Sequence, residues 1–207
     1  MSRCTLAALC LALGLAVGLT LADGTALAQE DAPKRVEVFG GYQFLHAGNF
    51  DGAGDGSANT SGWNAAATFN FTRHLGFTAD FGGGYQTRRI QEQQSSLNAT
   101  ATIQIYTYGF GPTVSVTPGG KFKVFTHALF GYGSVRPNGC ILFSGSPDEC
   151  GSGHMTGMAM MLGGGVDVPV KRSVAFRVAQ VDWVYLPSQG GAQTGDVRIS
   201  SGLVFRF

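Results

Sequence analysis

The chain has 207 residues, a net formal charge of +1 and 13% charged residues, beside 32 glycines. That charged share is about half of what soluble domains carry, and the length suits one domain. No basic surplus marks a nucleic-acid partner, and no single-sign field would steer a charged ligand.

The first segment reads as an export signal. Arg3 supplies a positive start, residues 6–22 are almost wholly apolar, and Ala26-Leu27-Ala28 places small residues where a signal peptidase cuts. Residues 1–28 are therefore expected to be removed, so that 29–207 form the mature domain. Retention as an anchor is disfavoured, because no basic stop-transfer cluster follows. Cys10 sits inside the apolar run behind the bulky Leu9, which does not suit lipid attachment.

After residue 28 no apolar run is long enough for a membrane helix. The recurring pattern is instead period-two alternation over about ten residues, then a break. The first strand, 36–44, sets Val36, Val38, Gly40, Tyr42 and Phe44 against Glu37, Phe39, Gly41 and Gln43. The second, 63–71, sets Trp63, Ala65, Ala67, Phe69 and Phe71 against Asn64, Ala66, Thr68 and Asn70. The third, 77–86, sets Phe77, Phe81 and Tyr85 against Thr78, Asp80 and Gln86. The fourth, 106–115, sets Tyr106, Tyr108, Phe110 and Val114 against Thr107, Gly109, Thr113 and Ser115. The fifth and sixth, 122–136 and 155–168, are apolar on both faces, so their register stays open. In the seventh, 174–185, Gln180 and Asp182 share a face but Arg177 falls on the other. Either a β-bulge near Ala179 turns all three inward or Arg177 snorkels from the apolar face. The eighth, 197–207, sets Val197, Ile199, Leu203, Phe205 and Phe207 against Arg198, Ser200, Val204 and Arg206.

The breaks alternate in length. Residues 46–61, 87–98, 137–154 and 186–196 make long connections; 72–74, 117–121 and 169–173 make short ones. Eight strands with short turns at one rim and long loops at the other predict an all-β, eight-stranded antiparallel up-and-down transmembrane β-barrel. Its apolar faces would meet lipid, with Tyr42, Trp63, Tyr85, Trp183 and Tyr185 as interfacial girdles. A soluble barrel would reverse the faces and has no reason to segregate its loops.

An eight-stranded barrel is filled by its own side chains, so interior charges should pair. The candidates are Glu37, Asp80, Asp167 and Asp182 with Arg177, Arg198 and Arg206. Glu37 opens the first strand and Arg206 ends the last, so the two should lie together. An ion or proton path is the functional alternative. Cys140 and Cys150 lie in a Gly/Ser/Pro-rich stretch of an exported chain and are expected to form a disulfide. Metal binding is the alternative, although His154 alone leaves a zinc set incomplete.

Several runs carry a family resemblance: residues 36–42, Gly109-Phe110-Gly111-Pro112, Gly163-Gly164-Gly165-Val166-Asp167, residues 177–183 and residues 198–207. They resemble the small outer-membrane β-barrels that include the OmpA transmembrane domain, OmpX-like proteins and opacity proteins. The resemblance implies an integral protein of a Gram-negative outer membrane, porin-like in architecture, monomeric, with both termini periplasmic. It also implies the barrel assembly machinery and periplasmic chaperones as partners in biogenesis, with Phe205 and Phe207 forming the assembly signal. Outer-membrane lipid is the standing partner, and an unidentified surface ligand is expected at the loops. The likeness to OmpA stops at the barrel, so wall anchoring through a peptidoglycan-binding domain is not expected.

Enzyme chemistry finds little support. His46 and His154 fall near the loop rim, but neither stands at a convincing spacing from a serine and an acid. His127 reads as a packed interior residue. Asp51, Asp55, Ser57 and Asn59 faintly echo a calcium loop, yet Gly62 replaces the closing acid. The glycine runs join no strand to a helix, so they are not nucleotide cradles. No cofactor, metal site or catalytic residue is expected. The reading is a non-enzymatic barrel with a structural or adhesion-like surface role. A narrow channel for ions or small hydrophobic molecules and an outer-membrane lipid-modifying enzyme are the alternatives.

Overall fold

The computed structural model describes residues 35–47, 58–92, 97–143, 149–186 and 196–207. The expected signal segment, the Gln29 start and the Asp51–Ser57 part of the calcium-like loop lie outside the described residues. The strands are β1 (Val36–Ala47), β2 (Ala58–Asn70), β3 (Leu75–Glu92), β4 (Leu97–Val116), β5 (Lys123–Phe143), β6 (Glu149–Ser152), β7 (Met155–Lys171), β8 (Val174–Tyr185) and β9 (Asp196–Arg206). A short 3-10 turn, Pro118–Gly120, links β4 to β5, with Gly119 and Gly120 at positive φ.

Every pairing is antiparallel. The order β4-β3-β2-β1-β9-β8-β7-β5 closes through an additional β4–β5 ladder, so the sheet is a barrel. β6 pairs with β5 beyond the stretch that β7 covers, on the same flank. The nine segments therefore make eight staves. The first and last strands meet at the β1–β9 seam, where Phe207 donates its N–H to the Val36 carbonyl at 2.8 Å.

Side-chain direction follows the period-two contrast. Val38, Tyr42, Phe69, Phe77, Phe110, Phe176, Ile199 and Phe205 point out and stay exposed, while Gln43, Asn64, Asp80, Thr107, Gln180 and Arg198 point in and are buried. A water-soluble protein would not leave so broad an apolar belt uncovered. No described helix is long and apolar enough to cross a membrane.

Three expectations change. Residues 46–47, 58–61, 87–92, 97–98, 137–143, 149–152 and 196 are strand, not loop. These segments show no steady apolar/polar alternation in the sequence, so they read as loop. In β8 the ladder slips between Arg177 and Gln180 on one side, and between Val166 and Asp167 opposite. Of the two readings of this strand, the bulge is the one observed, and it buries Arg177, Gln180 and Asp182 together. Lastly, the interior is not polar throughout: Leu45, Ile105, Leu129, Val135, Ala159, Met161, Val184 and Leu186 form a buried apolar cluster.

Candidate functional site

The barrel interior divides into two levels. Toward the short turns it holds four cations and four carboxylates joined in one network. At the mouth, Lys123 Nζ donates to Glu37 Oε2 at 2.7 Å, and Arg206 Nε lies 3.3 Å from Glu37 Oε1. Arg206 Nη2 lies 3.7 Å from Asp167 Oδ2. Arg177 donates Nε and Nη2 to the two oxygens of Asp167 at 2.8 and 3.2 Å, and Nη1 to Gln180 Oε1 at 2.6 Å. Its guanidinium lies between the rings of Phe39 and Phe125, 4.4 and 4.2 Å from their centroids. The cation-π contacts cover the faces that hydrogen bonds cannot use.

Deeper in, Arg198 sits at the centre. Nε and Nη2 reach Asp182 Oδ2 at 2.9 and 2.6 Å, and Nη1 reaches Asp80 Oδ1 at 2.7 Å. Asn64 donates to both Asp80 oxygens at 3.1 Å, Gln180 donates to Asp182 Oδ2 at 2.7 Å, and His127 Nε2 lies 2.9 Å from Asp182 Oδ1. The carboxylates thus have both charge compensation and hydrogen bonds, which a low-dielectric interior requires. A cavity of about 10 Å³ among Thr68, Thr78, Thr113, Phe125 and His127 has room for roughly one water molecule.

Above this level the apolar cluster packs inside the cylinder. Leu129 and Met161 are fully buried, and Ile103 and Met155 pack against the cluster from above. The predicted charge candidates Glu37, Asp80, Asp167, Arg177, Asp182, Arg198 and Arg206 are all brought into the interior network. Lys123 was missed, because the fifth strand showed no polar parity. The cation over the inward-facing Phe39 is Arg177, so that ring gave no sign of Lys123. Replacing Glu37 with Gln should lower stability by about 2 kcal/mol, less than for a fully buried pair, because this mouth is partly solvated. The urea midpoint of the lipid-refolded barrel reads it, and an unchanged midpoint would remove Glu37 from the network's energetics.

Outside, all six tyrosines and both tryptophans lie on the loop-ward part of their strands. Tyr42 stands beside Trp63 in register, Trp63 Nε1 reaches the Tyr85 hydroxyl at 3.5 Å, and Tyr85 packs edge-on against Tyr106. Trp183 and Tyr185 point outward on β8. The turn-ward rim carries phenylalanine instead: Phe69, Phe71, Phe77, Phe122, Phe176, Phe205 and Phe207.

Beyond Tyr85 the β2–β3 pairing stops, while β3, β4, β5 and β6 continue as a four-stranded extension. At about 3.3 Å per residue it reaches roughly 20 Å past the aromatic ring. Thr87 and Thr102 bridge β3 and β4 at 3.2 Å, and the Arg136 guanidinium lies over the Tyr106 ring. Cys140 and Cys150 sit opposite each other on β5 and β6 and are disulfide-bonded.

The histidines are dispersed. His46 Nδ1 meets Asn59 Oδ1 at 2.6 Å, and His74 donates to the Ser115 carbonyl at 3.0 Å. His154 Nε2 is shared by Ser134 and Thr156 at 3.1 Å each, with no carboxylate on its other nitrogen among the described residues. Among the described residues no group of three His, Cys, Asp or Glu side chains could hold a metal.

The family model for the outer membrane protein beta-barrel domain matches residues 8–207. The chain belongs to that family. Membership makes this an outer-membrane β-barrel protein and accounts for the uncovered apolar belt. The likeness to solved structures is structural rather than sequential. Ail, the attachment invasion locus protein of Yersinia pestis, is 16% identical over 84% of this chain and 99% of its own, with a TM-score of 0.58. Ail in complex with the heparin analogue sucrose octasulfate gives 14% identity over 84% and 98%, with a TM-score of 0.55. Neisserial surface protein A gives 14% over 83% and 97%, with a TM-score of 0.49. No curated protein matches the chain.

Proposed function

We propose that this outer-membrane barrel is non-enzymatic and serves as a sealed pedestal that presents its β3–β6 extension for surface contact. The observation that carries the reading is the division of the molecule: a plugged, ion-locked cylinder below and a disulfide-clipped sheet above the aromatic ring. In this reading both chain ends and the short turns face the periplasm, and residues 1–28 are removed; the intact mass of the processed chain checks that removal. Phe205 and Phe207, adjacent to the β1–β9 seam, suit an assembly signal on the strand that closes the barrel.

A channel role has less support, since the fully buried Leu129, Met161 and Val184 pack together across the cylinder. Lipid-modifying chemistry has less as well, since among the described residues the Ser134–His154 contact has no orienting acid. Ail is a protein solved with a sulfated sugar, which supports a surface ligand for this architecture. In the present chain the loop-side end carries Asp51, Asp55, Glu92, Asp148, Glu149 and Asp196 against Arg88, Arg89 and Arg136, so a sulfated glycan suits it poorly by charge.

The test is display in a non-adherent Gram-negative host, scored by binding to cell layers and matrix-coated surfaces. Wild type should add binding, and the Cys140→Ser, Cys150→Ser double variant should lose most of it while keeping heat-modifiable migration. The same barrel in planar bilayers should show no conductance steps. Steps in wild type, or display without added binding, would sink this reading.

A further inference from the structure

The short turns and the chain entry share one feature that the pedestal role does not use. Each carries exposed basic residues: Arg35 before β1, Arg73 between β2 and β3, Lys121 between β4 and β5, and Lys171 at the end of β7 followed by Arg172. Together they ring the whole rim. The described acids at this end, Glu37 and Asp167, point into the barrel and are held by Lys123, Arg177 and Arg206.

The collar also has a second component. Each cation lies within two residues of an exposed large apolar side chain: Arg35 by Val36, Arg73 by Phe71, Lys121 by Phe122, and Lys171 and Arg172 by Val170. Phe71 and Val170 are 66% and 63% exposed. An apolar group with a cation a few ångströms farther out is the arrangement that places a side chain in acyl chains and its charge among headgroups. The opposite rim differs in kind, with a Tyr/Trp ring and connections that mix acids with Arg88 and Arg136.

We propose that this turn-side rim is a binding collar for anionic glycerophospholipid headgroups, of the phosphatidylglycerol type. It selects them from the leaflet that meets the short turns. The carrying complementarity is electrostatic: five exposed cations at one depth against a phosphodiester monoanion, with guanidinium groups able to take two phosphate oxygens at once.

The test uses the full mature barrel refolded in phosphatidylcholine bilayers containing trace spin-labelled phosphatidylglycerol, with spin-labelled phosphatidylcholine as reference. Wild type should hold phosphatidylglycerol several-fold over phosphatidylcholine, and the preference should fall in high salt. The Lys121→Gln, Lys171→Gln, Arg172→Gln variant should lose most of that preference and hold the two lipids nearly equally. An Arg88→Gln, Arg136→Gln variant at the other end should keep it. Heat-modifiable migration verifies that each variant is folded. Equal holding of the two lipids by wild type, or loss of preference in the Arg88/Arg136 variant instead, overturns the proposal. Retention of wild type on insoluble cell-wall glycan with no lipid preference also overturns it and assigns the collar to an anionic polymer.

Discussion

Arg198→Met will destabilise the folded barrel by about 3–5 kcal/mol, the range for breaking a buried charge network by removing one partner. The guanidinium is completely buried and bonds two carboxylates on different strands, Asp80 on β3 and Asp182 on β8. Without it, Asn64 still serves Asp80, and Gln180 and His127 still serve Asp182, but two negative charges share the interior. The neighbouring cation Arg177 is already engaged by Asp167, so it cannot replace the lost one. Adding Asp80→Asn and Asp182→Asn to Arg198→Met should restore most of the loss, because the cost lies in uncompensated charge. Urea midpoints in lipid vesicles measure all of these. A single variant that unfolds with wild type would mean that water reaches the network freely, and the closed-interior account would fall with it.

How much of this could be read from the chain depended on contrast between the faces. Where lipid meets one face and a polar interior meets the other, as in β1–β4 and β9, alternation alone gave the right parity for Trp63, Asp80 and Arg198. In β5 and β7 the inward residues Leu129, Met161 and Ala159 belong to the apolar plug. Both faces are then apolar, and the period-two signal vanishes for a physical reason. That loss hid Lys123, whose inward direction depends on the register of β5, and with it half of the Glu37 site. The extension was hidden by the converse. Thr87, Thr100 and Thr102 leave the lipid zone, so water or neighbouring strands meet both faces and the strands read as loop. The bulge in β8 was legible only as a conflict between Arg177 and Gln180, since a slip in parity has no local sequence mark other than the misplaced charge.

The second large effect concerns Gly163, and it shows why the glycine run of β7 occurs where it does. In register Gly163 lies between His127 on β5 and Asp182 on β8. Two strands that flank a third stand about 9–10 Å apart, so their side chains meet only by leaning over the strand between them. His127 and Asp182 do meet, at 2.9 Å, above the backbone of Gly163. A Cβ there would overlap Asp182 Oδ1 and the Val181 carbonyl and come 2.7 Å from Asp182 Cα. The obstructing atoms are backbone as well as carboxylate, so no rotamer change relieves it. Gly163→Ala should therefore cost about 3 kcal/mol, combining overpacking with a displaced charge-assisted hydrogen bond. Gly40→Ala makes the same chemical change on an outward face where a Cβ would meet nothing within 4 Å. Its effect should stay within about 0.5 kcal/mol. If the two substitutions shift the urea midpoint equally, glycine in β7 is serving strand flexibility rather than room for the His127–Asp182 contact. The inward column of the barrel would then not be packed as tightly as its charges require.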